Sequence, residues 1–280
     1  MNNVFNLKRF GKYFTYDLKN AASNYGISAL TIGLLPLICL VFSVIFSLIF
    51  SGEVASIPTP VKIMLFGVAV LVVILSAPAK LYGRLTERKA GTDWLMIPAS
   101  SFEKFLSMAI MYCVILPVVV FGLFALCDIL LGWALPIYGD SFILSFKNMF
   151  QSAGLDAALA SSSPIITTTG GVIGSVWGGW CASILPFALG AVCFKRAKAA
   201  KTILCIIALE MVFSFIAVLF LKGGFENGFI ANGTFFLSGF EDMSPEKLQF
   251  WTNFLINALY LVVVGGLLTA IYFRIKTIKH

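Results

Sequence analysis

The stretch that decides the fold is GISALTIGLLPLICLVFSVIFSLIF, residues 26–50, which contains no charged side chain. About 20 consecutive apolar residues are enough to cross a bilayer as a helix. Only 12% of the 280 residues are charged and 59% are hydrophobic, whereas soluble domains carry about 25% charged residues. The sequence therefore predicts an all-α integral membrane protein with six transmembrane helices. The five further apolar windows are 61–79, 105–131, 171–194, 202–221 and 251–273.

Lysines and arginines are concentrated in alternate segments between these windows. Sixteen of the twenty lie before the first window, between the second and third, between the fourth and fifth, or after the sixth. Positive charge accumulates in the cytoplasmic segments of membrane proteins. Both termini and the 80–104 loop are therefore expected in the cytoplasm, and the 132–170 and 222–250 loops on the outer side.

Residues 1–25 are predicted to form an amphipathic helix, followed by a single transmembrane domain over residues 26–280. Large apolar residues recur there at spacings of three and four, with basic residues between them. This pattern indicates a helix that lies in the headgroup plane of the bilayer. The apolar residues are Leu7, Phe10, Phe14 and Leu18.

The 80–104 loop mixes charged residues with Trp94 and its apolar neighbours. Ser100 and Glu103 have the spacing of a capping box, which predicts that the third transmembrane helix begins near Ser101. Pro98 prevents one helix from running through the loop, so a short separate element is expected. Two interpretations stay open: a docking surface for a soluble partner, or a loop that lies on the membrane with Trp94 in the headgroups.

Two acidic residues fall inside the apolar windows. Glu210 lies near the middle of the fifth, where a charge costs at least ~2.5–3.5 kcal/mol, so it is expected to face the bundle or to be protonated. It is either a carboxylate on a substrate or proton path, or a neutral acid bonded to a neighbouring helix. Asp128 lies near the outer end of the third window and is expected to reach headgroup water.

Small residues at four-residue spacing line one face of the fourth window. Such a ridge lets another helix approach closely, either from the same chain or from a second copy. Prolines inside three windows are candidate kinks. The ridge is formed by Gly170, Gly174, Gly178 and Ala182, and the prolines are Pro36, Pro117 and Pro186.

Several classes of function lack their residues. The sequence has no G-x-x-x-x-G-K-[ST] phosphate loop and no H-E-x-x-H motif, and it contains a single histidine. The six cysteines include no C-x-x-C pair, so neither a metal site nor a disulfide framework is expected. The basic residues form short blocks between apolar runs, which argues against nucleic-acid binding. We expect no enzyme activity and no cofactor.

The whole arrangement resembles the ABC-2-type permeases: an amphipathic N-terminal helix, six spans, cytoplasmic termini and a charged second loop. The local string WLMIPASSFEK, residues 94–104, is similar to one in small permease-like proteins of Bacteroidetes-type bacteria. The resemblance implies a bacterial inner-membrane exporter subunit that works with a separate soluble ATP-binding subunit and a second permease protomer. It also implies that this chain binds no cofactor itself and that ATP is bound only by the soluble subunit.

In that family, the N-terminal helix and the second loop contact the ATPase. The resemblance therefore assigns ATPase coupling to charged and aromatic residues of the loop, supported by three residues of the N-terminal helix. They are Arg84, Glu87, Arg88, Asp93 and Trp94, with Lys8, Arg9 and Phe10. The long 132–170 loop departs from the family, whose enlarged outer segment lies between the fifth and sixth spans. A non-transporting membrane scaffold or sensor, and a proton-coupled carrier or channel that uses Glu210, remain alternatives.

Overall fold

The computed structural model describes residues 5–50, 57–86, 91, 94, 96–135, 138–139, 141, 169–226 and 245–277. Within these residues the side chains at 59, 169–176, 217, 220–226, 245–253 and 256 are not described. This part of the chain is 91% helical and contains no strand. The predicted all-α fold is thus confirmed for the described residues.

The first two helices, α1 (Leu7–Gly33) and α2 (Leu35–Phe50), meet at a bend of 42°. Pro36 lies in the first turn of α2, where its missing N–H interrupts the hydrogen-bond ladder, so the kink predicted at Pro36 is confirmed. The Asn6 side chain caps α1 by accepting from the amides of Lys8 and Arg9. The amphipathic segment and the first apolar window are therefore joined in one helix, and the break lies at Leu34 rather than at residue 25.

The second and third windows also fall on helices. Helix α3 spans Thr59–Leu81 and is followed by a 3₁₀ turn, Gly83–Thr86. Helix α4 (Ser101–Ile110), a π-helical segment (Met111–Ile115) and α5 (Leu116–Ala134) then run on without a gap. The capping box that was predicted at the start of α4 is present, with both the Ser100 and the Glu103 side chains bonded to backbone amides.

The remaining windows form the last three helices: α6 (Thr169–Cys193), α7 (Lys198–Glu226) and α8 (Pro245–Thr277). Four segments of the fold are long and apolar enough to cross a bilayer, and the bent α1–α2 pair makes a fifth. The described side chains of α6 add a shorter apolar stretch, Trp177–Cys193. The length and composition of these helices fit a multi-pass protein embedded in a membrane.

Helix α6 lies at the centre of the bundle. It packs against α3, α7, α8 and the π segment. Its fully buried side chains include Cys181, Ile184, Leu185, Ala188 and Val192. In contrast, most described side chains of α7 are exposed. An outer helix with this pattern is suited to face lipid, because the bilayer solvates apolar side chains.

The predicted glycine ridge contacts helices of the same chain. A Cβ at Gly178 would lie 2.9 Å from Cγ of Tyr260 on α8. A Cβ at Gly190 would overlap Thr202 on α7. Ala182 is half-buried on the same helix, whereas Gly170 and Gly174 lie where side-chain packing is not described. Gly178 of the ridge therefore brings α8 close to α6, and Gly190, farther along the same helix, brings α7 close to it.

The π segment interrupts Ser101–Ala134, the longest candidate membrane span among the described residues. Its closing amide, Leu116 N–H, donates to the Met111 carbonyl, five residues back. Pro117 has no N–H to offer to the Cys113 carbonyl. Two indole groups of α6 supply the missing donors: Trp180 Nε1 lies 3.0 Å from the Tyr112 oxygen and Trp177 Nε1 lies 2.9 Å from the Cys113 oxygen. The irregular backbone is thus hydrogen-bonded by its neighbour, as backbone at membrane depth must be.

Candidate functional site

One end of the bundle carries most of the positive charge. It comprises the first half of α1, the 3₁₀ turn, the start of α4, the α6–α7 turn and the end of α8, and is called the basic face below. The carboxylates described at this end, Asp17 and Glu103, are both buried. The exposed cations are Lys8, Lys12, Lys19, Lys80, Arg84, Lys195, Arg196, Lys201, Arg274 and Lys276.

Glu103 joins α1 to the beginning of α4. Its side chain is fully buried, and it accepts hydrogen bonds from both Nε and Nη2 of Arg9, each at 2.8 Å. It also accepts from the amides of Asn6, at 3.0 Å, and Ser100, at 2.9 Å. One carboxylate therefore completes the cap of α4 and fixes the N-terminus of α1 beside it. A two-point bond between arginine and carboxylate holds both position and orientation.

Trp94 makes a second link between the 80–104 loop and α1. Its indole Nε1 lies 3.1 Å from the Tyr13 hydroxyl. Lys104 donates to the Trp94 carbonyl at 2.8 Å and places its ammonium group 4.4 Å from the ring centroid. The indole N–H is thus bonded within the chain, and Lys104 lies against the ring. Because Trp94 is only half-buried, part of its ring is still exposed to a partner.

A buried polar cluster lies directly behind these two links. Oδ2 of Asp17 on α1 accepts from the hydroxyls of Tyr82, at the end of α3, and Ser107, on α4, both at 2.5 Å. Burial, and then the neighbouring Asp17 carboxylate, hold the pKa of Tyr82 well above its ordinary value of 10.0. Tyr82 therefore keeps its proton and donates a hydrogen bond to Asp17. The Asp17 cluster (Asp17, Tyr82 and Ser107) ties three helices together at the basic face.

The 3₁₀ turn connects the loop to the far side of the bundle. Lys198 Nζ donates to the Gly83 carbonyl oxygen, and the Thr86 hydroxyl lies 3.2 Å from the Phe194 carbonyl oxygen. Arg84, within this turn, is exposed. The turn that carries Arg84 is thus bonded to Lys198 at the start of α7 and to Phe194 just after α6.

The predicted coupling residues thus have different positions. Arg84 and Lys8 are exposed, whereas Arg9 and Trp94 hold the loop against α1, and Phe10 stacks on Phe14 with ring centroids 5.7 Å apart. Glu87, Arg88 and Asp93 lie outside the described residues. Asp17 and Tyr13 were not predicted to be structural residues, although they lie four residues apart on the buried face of α1.

The opposite end of the bundle contains a second buried polar cluster. Asp128 is 0% exposed and accepts from the Tyr138 hydroxyl at 2.5 Å. Lys62, also buried, donates to the Tyr138 carbonyl at 2.7 Å and lies 3.8 Å from its ring centroid. The expectation that Asp128 reaches headgroup water is therefore wrong, because Asp128 is fully buried and bonded to Tyr138. In the described residues no group of three His, Cys, Asp or Glu side chains could hold a metal ion.

Glu210 lies on the outward side of α7. Its side chain is exposed, and so are those of Leu209 and Met211 on either side of it. It does not line a space between the described helices of this chain. Its carboxyl group would meet lipid or another membrane protein.

Comparison with family models, with curated proteins and with solved structures finds no match for this chain.

Proposed function

We propose that this chain is the membrane-spanning permease subunit of an ABC-type exporter in the bacterial inner membrane. In this proposal it has six transmembrane helices, its basic face and both termini lie in the cytoplasm, and a soluble ATP-binding subunit docks on the basic face. A second copy of the permease completes the assembly. The sixteen basic residues in alternate segments support this orientation, because positive charge favours the cytoplasmic side.

The observation that carries the proposal is the way the 80–104 loop is attached. Glu103 and Trp94 fix the loop to α1, and Gly83 and Thr86 fix it to the α6–α7 turn. A loop that only rests on the membrane needs no such links to both sides of the bundle. A loop that receives force from a partner does need them, because force is transmitted through contiguous packed contacts.

The exposed cations offer the docking chemistry. Arg84 lies on the linked turn, and the acidic side chains described at this end are buried. The face thus presents a positive field to the cytoplasm, which would attract a partner with an acidic surface. Movement of the turn would then shift α7 through Lys198 and α1 through Tyr82 and Asp17.

The test is purification of the tagged full-length chain in mild detergent, with its bound proteins identified by mass spectrometry. The proposal predicts a stoichiometric partner that binds ATP, and its loss in Arg84→Glu. Arg274→Glu is the matched control, because Arg274 is an exposed arginine of the same face on α8. Equal loss in both variants would indicate general charge attraction only. Recovery of the folded chain alone would favour the scaffold or sensor alternative.

The proton-coupled carrier is not proposed as a second function. It requires Glu210 to line a path, whereas the Glu210 side chain is exposed on α7.

A further inference from the structure

A short piece of chain after α5 packs against the end of the bundle opposite the basic face. Its described residues, Tyr138, Gly139 and Ser141, are called the Tyr138 lid below. The Tyr138 amide donates to the Leu135 carbonyl at 2.9 Å, and Gly139 has a φ of 72°, which glycine adopts at little cost. Ser141 lies against α5, where a Cβ at Gly132 would be 3.4 Å from the Ser141 Cβ. A turn and a close approach to α5 therefore place the lid.

Two buried charged residues hold Tyr138 by its carbonyl and its hydroxyl. Lys62 of α3 donates to the carbonyl at 2.7 Å, and Asp128 of α5 accepts from the hydroxyl at 2.5 Å. The exposed fractions are 3% for Lys62, 0% for Asp128 and 2% for Tyr138. Tyr138 therefore bridges α3 and α5, and both contacts of the bridge are polar.

A small apolar cluster packs against the same side chain. It contains Leu40 of α2, Ile57 just before α3, and Leu131 of α5, and all three are buried together with Tyr138. Trp133, two residues farther along α5, is 87% exposed, so this end of the bundle is in contact with its surroundings. Departure of Tyr138 from the cluster would expose Ile57.

The position of the two charged residues makes the lid easy to open. Asp128 is six residues from the end of α5 at Ala134, and Lys62 is three residues from the start of α3 at Thr59. At ~1.5 Å per residue, both lie within about 9 Å of a helix end, near the water of the headgroup layer. Opening there exchanges hydrogen bonds within the protein for bonds to water, so each broken bond shifts the equilibrium only about twofold to tenfold. In the hydrocarbon core, no water would replace the lost bonds.

We propose that the Tyr138 lid is a reversible closure of this end of the bundle, held shut by Lys62 and Asp128. Opening detaches Tyr138 from both residues and lets water reach the cluster around Ile57. In an exporter, such a closure seals the outer end of the bundle between turnovers. That use rests on the function proposed above, whereas the closure itself does not, because it concerns contacts within this chain alone.

A disulfide that locks the lid tests the closure. Gly132→Cys with Ser141→Cys places two Cβ atoms 3.4 Å apart, next to the ~3.5–4.5 Å range of disulfides. Ile57→Cys, in a chain whose six native cysteines are replaced, reports opening by its reaction with a water-soluble maleimide. The full-length chain is held in lipid nanodiscs, where both faces meet water and membrane orientation has no influence. Mass spectrometry verifies the disulfide and reads the labelling at position 57.

We expect labelling at position 57 to be at least about tenfold slower in the oxidised, locked protein than in the same protein after reduction and removal of the reductant. Trp133→Cys in the same background is the matched control, and its labelling should not depend on the lock because Trp133 is exposed. Equal labelling at position 57 in both states, including no labelling in either, would overturn the proposal. The lid would then be a static part of the fold.

Tyr138→Phe gives a second, independent measure. It removes the hydroxyl that bonds Asp128 and keeps the ring, so labelling of Ile57→Cys should become about fivefold faster, as for the loss of one ordinary hydrogen bond. Tyr16→Phe is the matched control, because Tyr16 is 56% exposed on α1. No increase in Tyr138→Phe, with the unfolding midpoint of the native chain, would contradict the role of Asp128 in holding the lid shut. Neither measurement involves the ATPase, so failure of the lid leaves the proposed function to its own test.

Discussion

The indole nitrogen of Trp177 donates a hydrogen bond to the carbonyl oxygen of Cys113, 2.9 Å away on the neighbouring helix. This carbonyl lacks its helical donor because residue 117 is proline. The π segment and the tryptophans of α6 therefore form one structural unit: the irregular turn creates free carbonyls, and α6 supplies their donors. Such irregular turns are frequent at functional sites.

Trp177→Phe is expected to lower the free energy of unfolding by about 1 kcal/mol, in the range of hydrogen bonds between membrane helices. The cost should shrink in a Pro117→Ala background, because the new amide at residue 117 can donate to Cys113. Reversible unfolding in mixed micelles measures both differences. Equal cost in the two backgrounds would show that the indole contributes by packing and not through this hydrogen bond.

Tyr82→Phe is expected to destabilise the protein by about 1–3 kcal/mol, since it leaves the buried Asp17 carboxylate with one donor fewer. Tyr16→Phe is the matched control, because the Tyr16 side chain is 56% exposed and lies on the same helix as Asp17. A double-mutant cycle with Ser107→Ala should give a non-additive cost, because both hydroxyls bond the same oxygen. Additive costs would contradict the shared bond.

The two acidic residues inside the membrane windows should respond differently to neutralisation. Asp128→Asn is expected to cost about 1–3 kcal/mol, because Asp128 is fully buried and bonded to Tyr138. Glu210→Gln is expected to change stability by less than about 0.5 kcal/mol, as at other exposed positions. Thermal unfolding of both variants checks this order. A large loss in Glu210→Gln would indicate a contact beyond the described chain.

The orientation of the basic face can be measured with single cysteines in a cysteine-free background. Arg84→Cys should react with a membrane-impermeant maleimide only after the membrane is opened. Trp133→Cys, at the opposite end of the bundle where Trp133 is 87% exposed, should react in intact spheroplasts. The reverse pattern would place the basic face outside and exclude contact with a cytoplasmic ATPase.

Much of the fold could be predicted from the sequence, because it depends on local patterns. The six apolar windows all fall on helices, and the Ser100–Glu103 capping box forms as its spacing predicts. Local patterns do not show which face of an outer helix is buried. The predicted stripe on α1 includes Leu7, which is 74% exposed, whereas the buried face follows Tyr13 and Asp17. Tyrosine and aspartate are usually found at polar, exposed positions. Tyr13 and Asp17 are buried here because Trp94 bonds Tyr13, and Tyr82 and Ser107 bond Asp17.

The candidate site was predictable only in part, for the same reason. Arg84 is exposed as a docking residue should be. Trp94 was assigned to coupling only through the family resemblance, and its hydrogen bond to Tyr13 depends on a contact across 81 residues. Asp128 was expected near water because it lies near a helix end. Its burial depends on the contact with Tyr138. No periodic pattern in the sequence predicts that contact.

The central claim, that an ATPase docks at the basic face, is tested most directly by site-specific photocrosslinking in living cells. A photoreactive amino acid at position 84 should form a covalent adduct with an ATP-binding protein, identified by mass spectrometry. The same group at position 133, at the opposite end of the bundle, should not. Adducts at position 84 with lipid only, or the same partners at both positions, would contradict the account.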